Sequence, residues 1–240
     1  MTVLVPLGSR PPLEAGALSI GGFQPFSSVD WPGRLTATVF LQGCPWQCTY
    51  CHNPALQDSN ADGSVQWSDV MDTLRSRRGM LDAVVFSGGE PTRQPGLANA
   101  MAQVRDLGFL VGLHTAGAYP RSLAEVLPLV DWVGFDIKAA PGTYERITGQ
   151  GVSAVKAWSS LELLMRSGVD YEVRITVDPT VHSRQDVLDA AREVIRRGAH
   201  APVLQEARAH GTNAEYARAL AGRGLYDVIH IDDLPDLERR

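Results

Sequence analysis

The chain has few cysteines, no long apolar run and no excess of basic residues. No stretch of its 240 residues approaches the roughly 18 apolar positions of a membrane-spanning helix, so no membrane partner is expected. No lysine or arginine block stands out and the net charge is −5, which argues against a nucleic-acid partner beyond a local patch. Residues 1–12 lack a charged segment followed by an apolar one, so no signal peptide is expected. No internal repeat or low-complexity segment is present. The cysteines number three, an odd count that completes no disulfide framework. A reducing cytoplasm fits that usage best.

What cysteine there is sits in one place. Gly43-Cys44-Pro45-Trp46-Gln47-Cys48-Thr49-Tyr50-Cys51-His52-Asn53 holds all three, spaced C-x3-C-x2-C. Three readings are open. Soft thiolates at close spacing suit a [4Fe–4S] cluster, with one iron left free of protein ligands for chemistry. A structural zinc with His52 as fourth ligand is the second. Such sites usually take ligand pairs from two separated segments, and no second pair exists. His52 also directly follows Cys51, which makes joint chelation of one ion awkward. Inert buried cysteines are the third, but Pro, Gln and Thr around them do not resemble core. The cluster is the preferred reading.

Residues 1–34, rich in Gly, Pro and Ser, read as an irregular lead-in, and 35–240 as one domain. The domain alternates short apolar runs with helical periodicity. Strands are expected at 35–41, 83–86, 109–115, 132–138, 171–177 and 203–206, and a further one at 228–231. Trp67, Val70, Met71 and Leu74 fall at i, i+3, i+4 and i+7, an amphipathic helix. Helices are also expected at 97–107, 121–127, 155–165 and 214–220. Another carries Val187, Leu188, Ala191, Val194 and Ile195 on one face, with Ser183 and Asp186 as a capping pair.

Six βα units in succession imply a parallel sheet with right-handed crossovers, two units short of a complete barrel. An open doubly wound sheet competes with a partial (β/α)6 barrel. In 132–138, Gly134, Asp136 and Lys138 alternate with Val133, Phe135 and Ile137. In 171–177, Glu172, Arg174 and Thr176 alternate with Val173, Ile175 and Val177. Strands buried under helices on both faces should be near-continuously apolar. One polar face per strand therefore favours the partial TIM-like barrel with a polar lumen.

Several strand ends carry candidate chemistry. Ser87-Gly88-Gly89-Glu90-Pro91 follows the second strand, where glycines let a ligand approach the backbone; a plain tight turn is the alternative. Asp136 and Lys138 point the same way, which an ion pair across one rung would explain. Arg174 offers a bidentate fork for a carboxylate, or a lumen salt bridge to Glu172 or Asp136.

Cys44-x3-Cys48-x2-Cys51, with aromatic Tyr50 before the last cysteine, resembles the signature of the radical S-adenosylmethionine superfamily. Cys51-His52-Asn53-Pro54 and the upstream Ser28-Val29-Asp30-Trp31-Pro32-Gly33-Arg34 narrow the resemblance to glycyl-radical-enzyme activating proteins. It is greatest to those of anaerobic ribonucleoside-triphosphate reductase. The matching motifs run from Asp30 to about Arg174. The resemblance implies a [4Fe–4S] cluster on Cys44, Cys48 and Cys51, and S-adenosylmethionine bound beside it. Tyr50 and His52 would flank the cofactor. Gly88, Gly89 and Glu90 would bind its amino group, Asp136 and Lys138 its methionine and ribose part, and Arg174 its carboxylate. Reductive cleavage would give methionine and a 5′-deoxyadenosyl radical, which takes a hydrogen atom from a backbone glycine of the partner. A flavodoxin or ferredoxin would supply the electron. The lead-in and the open barrel side would admit the glycine loop, with Asp30 touching it.

Two other functions remain open. One is a radical enzyme acting on a small molecule or peptide, the other a non-catalytic zinc-stabilised binding protein. His114-Thr115-Ala116-Gly117 departs from the D-T-N-G of the related proteins, so contacts made there elsewhere do not carry over. Gln205-Glu206 is an adenine-side candidate. His182, His200, His210 and His230 are expected at the surface or in loops.

Overall fold

The computed structural model of the chain describes residues 14–240. The expectations for the first 13 residues, including the lack of a leader, lie outside that range. Seven strands form one sheet: β1 (Ile20–Ser27), β2 (Thr36–Leu41), β3 (Ala83–Gly88), β4 (Leu110–Thr115), β5 (Trp132–Asp136), β6 (Asp170–Val177) and β7 (Val203–Glu206). Their spatial order is their sequence order. β1 pairs antiparallel with β2, and every later pair is parallel. A doubly wound sheet reverses its strand order at a switch point. This sheet never reverses, so the partial α/β barrel is the architecture.

The connecting helices are α1 (Trp67–Ser76), α2 (Leu97–Asp106), α3 (Pro120–Val126), α4 (Tyr144–Thr148), α5 (Ser153–Ser167), α6 (Arg184–Arg196) and α7 (Ala214–Leu220). Spacing decides which face each buries. In α1 the buried set is Trp67, Val70, Met71 and Leu74. The expected cap of α6 is present: the Ser183 hydroxyl accepts from the Asp186 N–H, and the Asp186 carboxylate accepts from the Ser183 N–H. Val39, Phe86, Leu113, Phe135 and Val173 fill the layer between sheet and helices, each 0% exposed.

A second, smaller apolar cluster closes the lumen at the N-terminal ends of the strands. Trp31 stacks on Trp132 at 5.2 Å and 15°, beside Ala83 and Val85. A Cβ on Gly112 would meet the Trp31 ring at 3.0 Å, so that glycine makes room for the plug. The Asp30-Trp31-Pro32-Gly33 turn thus seals the barrel floor.

Two sequence expectations are corrected. Ile20–Ser27 is a strand rather than irregular lead-in. Its two glycines and Pro25 mask a strand signal, and an edge strand tolerates proline because one row of its N–H groups needs no partner. The 228–231 run forms no strand, because 238–240 takes the free edge of β7 instead. Leu204 N–H donates to Glu238 O at 2.9 Å, and Arg240 N–H to Leu204 O at 2.9 Å. α4 was unanticipated; five residues are too few to show a helical period. His182 lies in the loop between β6 and α6, within the expectation, and is buried there, at 7% exposure.

Candidate active site

The cysteine loop leaves the end of β2 and is fastened along its length. Gly43 N–H donates to Leu56 O at 2.8 Å and Cys44 N–H to Gln57 O at 3.1 Å, closing the loop on itself. Gln47 N–H donates to Thr148 O at 2.9 Å and Thr49 N–H to Ile147 O at 3.2 Å. These are carbonyls of the last turn of α4, which a helix leaves without internal partners. Trp46 is buried edge-on against Tyr144, 5.9 Å between ring centroids. The three thiols are free and half-buried. Burial pushes Cys44 up to about 12 and Cys48 up to about 11, so both are neutral until a metal charge replaces their protons.

The glycine turn at the end of β3 is bonded directly to this loop. Gly89 N–H donates to Leu41 O at 2.8 Å, and Glu90 N–H to Gly43 O at 3.0 Å. Gly88 adopts φ +121°. A Cβ on Gly89 would lie 2.5 Å from Gly43 O and 2.7 Å from Leu56 O. Those are backbone atoms that no rotamer change moves. Gly89→Ala is therefore expected to cost on the order of 3 kcal/mol or more and to push the cysteine loop off the turn. Gly142→Ala, where a Cβ meets nothing within 4 Å, should stay within about 0.5 kcal/mol of wild type. Urea unfolding of both variants checks this; equal stability would contradict it.

Glu90 braces the turn from behind. Its Oε1 accepts from Thr92 N–H (3.1 Å), Thr92 hydroxyl (2.6 Å) and Thr115 hydroxyl (2.7 Å), and its Oε2 from Ala116 N–H (3.0 Å). It is 1% exposed. The carboxylate welds the end of β3 to the end of β4.

Asp136, Lys138 and Arg174 form a charged wall in the lumen. Arg174 Nε donates to Asp136 Oδ1 at 2.9 Å, and Lys138 Nζ to Asp136 Oδ2 at 3.3 Å. Arg174 Nη2 also donates to Gly134 O at 3.1 Å. A Cβ on Gly134 would sit 2.7 Å from that guanidinium. Glu172, the other acid weighed for Arg174, pairs with Arg240 instead. Burial alone would raise the Asp136 carboxyl, but Arg174, Lys138 and His114 hold it down at about 2. Lys138 Nζ lies 5.4 Å over the ring of Tyr50, whose buried hydroxyl has no protein partner.

The remaining expected residues scatter. His52 Nε2 accepts from Arg208 N–H at 3.2 Å, and burial lowers its pKa. His114 Nε2–H donates to the Asp30 carbonyl at 2.7 Å. Its pKa is pushed down to about 4 by burial and then by Arg174, so the ring is neutral. The Asp30 carboxylate accepts from the Thr38 hydroxyl at 2.6 Å. The Glu206 carboxylate is taken by Leu225 N–H at 2.9 Å. Sequence reading missed Asp178, which accepts from the Thr49 hydroxyl of the cysteine loop at 2.7 Å. No periodicity announces it, since 129 residues separate the pair.

These residues fit the groups their chemistry suggests. The donor set is three soft thiols in one loop. Among the described residues no three His, Cys, Asp or Glu side chains are grouped to hold a metal ion. A cluster instead takes each thiolate on a different iron, so its sulfurs need not meet at a point. Beside the loop stand an orphaned tyrosine hydroxyl and a wall of two cations to one anion, suited to a ligand carrying a carboxylate.

Comparison with known proteins agrees. A family model described as the Radical SAM superfamily matches residues 38–194. The chain is 30% identical over 186 residues to a Methanocaldococcus jannaschii protein assigned by name to the glycyl-radical enzyme activating enzymes, covering 73% of this chain and 75% of that one. It is 29% identical over 174 residues to the pyruvate formate-lyase-activating enzyme of Clostridium pasteurianum, covering 70% and 72%. Among solved structures, Streptococcus suis SuiB bound to S-adenosylmethionine superposes with a TM-score of 0.55 at 15% identity. That match covers 73% of this chain and 40% of SuiB, and it shows the shared fold.

Proposed function

The chain belongs to the radical SAM superfamily, and from that premise we propose that it activates a glycyl-radical enzyme, specifically an anaerobic ribonucleoside-triphosphate reductase. The observation that carries the reading is the direct bonding of the cysteine loop to the glycine turn, with the Asp136–Lys138–Arg174 wall at the same end of the strands. The two relatives named for activation support the general class. The motifs at 28–34 and 51–54 support the same general class, and the reductase as partner rests on the overall resemblance of the chain to that group of activating proteins.

When bound, the [4Fe–4S] cluster and S-adenosylmethionine supply a one-electron reductive cleavage and, from it, hydrogen-atom abstraction. The protein's own part is to bind, orient and keep water out. Cys44, Cys48 and Cys51 hold the cluster as thiolates. Gly88 and Gly89 let the turn pack directly on the backbone of the β2 end and the cysteine loop, beside which the cofactor's amino end would lie, while Glu90 stiffens that turn. Lys138 and Arg174, less Asp136, leave one net positive charge for a carboxylate. Tyr50 presents its hydroxyl, and His52 closes the outer side of the loop. Trp46 and Tyr144 keep the loop's inner side dry.

Among the described residues no helix is long and apolar enough to cross a membrane. We place the activity in the cytoplasm, with a flavodoxin or ferredoxin as electron source. The test is anaerobic mixing of the reconstituted protein with S-adenosylmethionine, reduced flavodoxin and an anaerobic reductase. A glycyl-radical signal by electron paramagnetic resonance is expected on the reductase. Cofactor cleavage with no radical on the reductase, but one on another glycyl-radical enzyme, would overturn the reductase assignment alone.

A further inference from the structure

The loop between β6 and α6 meets the cysteine loop three strands along the sheet from the glycine turn of β3. Asp178 is 0% exposed. Its carboxylate accepts four hydrogen bonds: from the hydroxyls of Thr49 (2.7 Å), Thr180 (2.7 Å) and Tyr216 (2.9 Å) and from the Thr180 N–H (2.9 Å). All four donors are neutral. A buried carboxylate without a cation is tolerated only while its hydrogen bonds are intact, and losing one is costly. Thr49 sits between Cys48 and Cys51, so this demand fixes the stretch that carries two of the three thiols.

Four residues on, His182 fixes the other wall. Its Nδ1 accepts from the Asp178 N–H at 2.9 Å, which leaves the proton on Nε2. Nε2–H then donates to the Lys138 carbonyl at 3.1 Å. The Lys138 N–H is held by the Tyr144 hydroxyl at 3.2 Å. The Lys138 backbone is thus held at both its N–H and its carbonyl, and its side chain lands between Asp136 and Tyr50. One short loop sets the spacing between the thiols and the charged wall.

We propose that Asp178 and His182 are positioning residues of the cofactor site, Asp178 acting through Thr49 on the cluster loop and His182 through the Lys138 carbonyl on the cofactor wall. The proposal rests on the cofactor assignment and is independent of which partner is activated.

The decisive variants are Thr49→Val, which removes only the hydroxyl, and His182→Leu beside His182→Gln, which keeps a donor and an acceptor. Each is reconstituted anaerobically with iron and sulfide. Apoprotein unfolding, iron release to a chelator and S-adenosylmethionine affinity by equilibrium dialysis are then compared with wild type. Thr49→Val is expected to stay folded as apoprotein and lose iron about tenfold faster. His182→Leu is expected to bind S-adenosylmethionine about tenfold more weakly, and His182→Gln to recover most of that. Variants that only lower the unfolding midpoint, with wild-type iron release and affinity, would make the network a plain structural brace and overturn the proposal. A wild-type protein that takes up no cluster would instead remove the cofactor assignment beneath it, and the control shows this before any variant is compared.

Discussion

Cys44→Ala is expected to give a folded protein that holds no cluster and releases 5′-deoxyadenosine under dithionite only at background. The backbone of the loop does not depend on the thiol: the Cys44 N–H donates to Gln57 O at 3.1 Å, and Gly43 and Glu90 stay bonded through main-chain atoms. The apo thiol is neutral, since burial pushes it up to about 12, so its removal strips no charge from the fold. The stability cost should be that of a small truncation, about 1 kcal/mol. The functional cost is of a different order. Two thiolates cannot replace three; the neighbouring Glu90 carboxylate is spent on four hydrogen bonds, and His52 Nε2 accepts from the Arg208 N–H. Iron and sulfide analysis, the visible absorption of the cluster and chromatography of the products check this. Retained cleavage, or one tightly bound zinc in the wild type with no iron uptake, would contradict the ligand assignment.

Much of that site was legible in the sequence because its parts are local. The three cysteines lie in one loop, and Gly88-Gly89-Glu90 are consecutive. Alternation along 132–138 and 171–177 already placed Asp136, Lys138 and Arg174 on one face, and the sheet keeps them there, with Asp136 opposite Arg174 in register. What was illegible is contact between distant segments. Asp178 and Thr49 carry no shared pattern, yet a fully buried carboxylate makes them neighbours. Arg240 takes Glu172 out of contention for Arg174 only because 238–240 folds back on β7. β1 was hidden by Gly21, Gly22 and Pro25, whose propensities oppose a strand; pairing with β2 overrides them. His114 shows the limit of a motif: the ring departs from the expected aspartate, and its use as a donor to the Asp30 carbonyl emerges only when the floor segment is docked.

The charged wall carries the larger stability prediction. Side chains of Asp136, Lys138 and Arg174 are 26%, 11% and 10% exposed, so solvent screens them weakly. Among the described residues Asp136 is the only carboxylate that forms an ion pair with either cation. Asp136→Ala leaves Lys138 and Arg174 facing each other without it, and breaking a buried pair by removing one partner costs about 3–5 kcal/mol. For a domain of this size that lowers the unfolding midpoint by roughly 10 °C. Asp136→Asn should lose less, because its amide oxygen still accepts from Arg174. The pH dependence has a definite sign. The folded carboxyl titrates at about 2 against an ordinary 3.8. Its contribution, about 2 kcal/mol, is therefore complete above pH 3.8 and lost as the pH falls through about 2. The gap between wild type and Asp136→Ala should be full at pH 7 and narrow by about 2 kcal/mol as the pH approaches 2. A ligand carboxylate adds its own anion to the wall, so S-adenosylmethionine should raise the midpoint of reconstituted Asp136→Ala more than that of the wild type, provided Arg174 and Lys138 keep their places. Thermal unfolding at pH 7 and pH 3, with and without S-adenosylmethionine, measures all three effects. Equal midpoints at pH 7 would mean that water, not Asp136, balances the two cations.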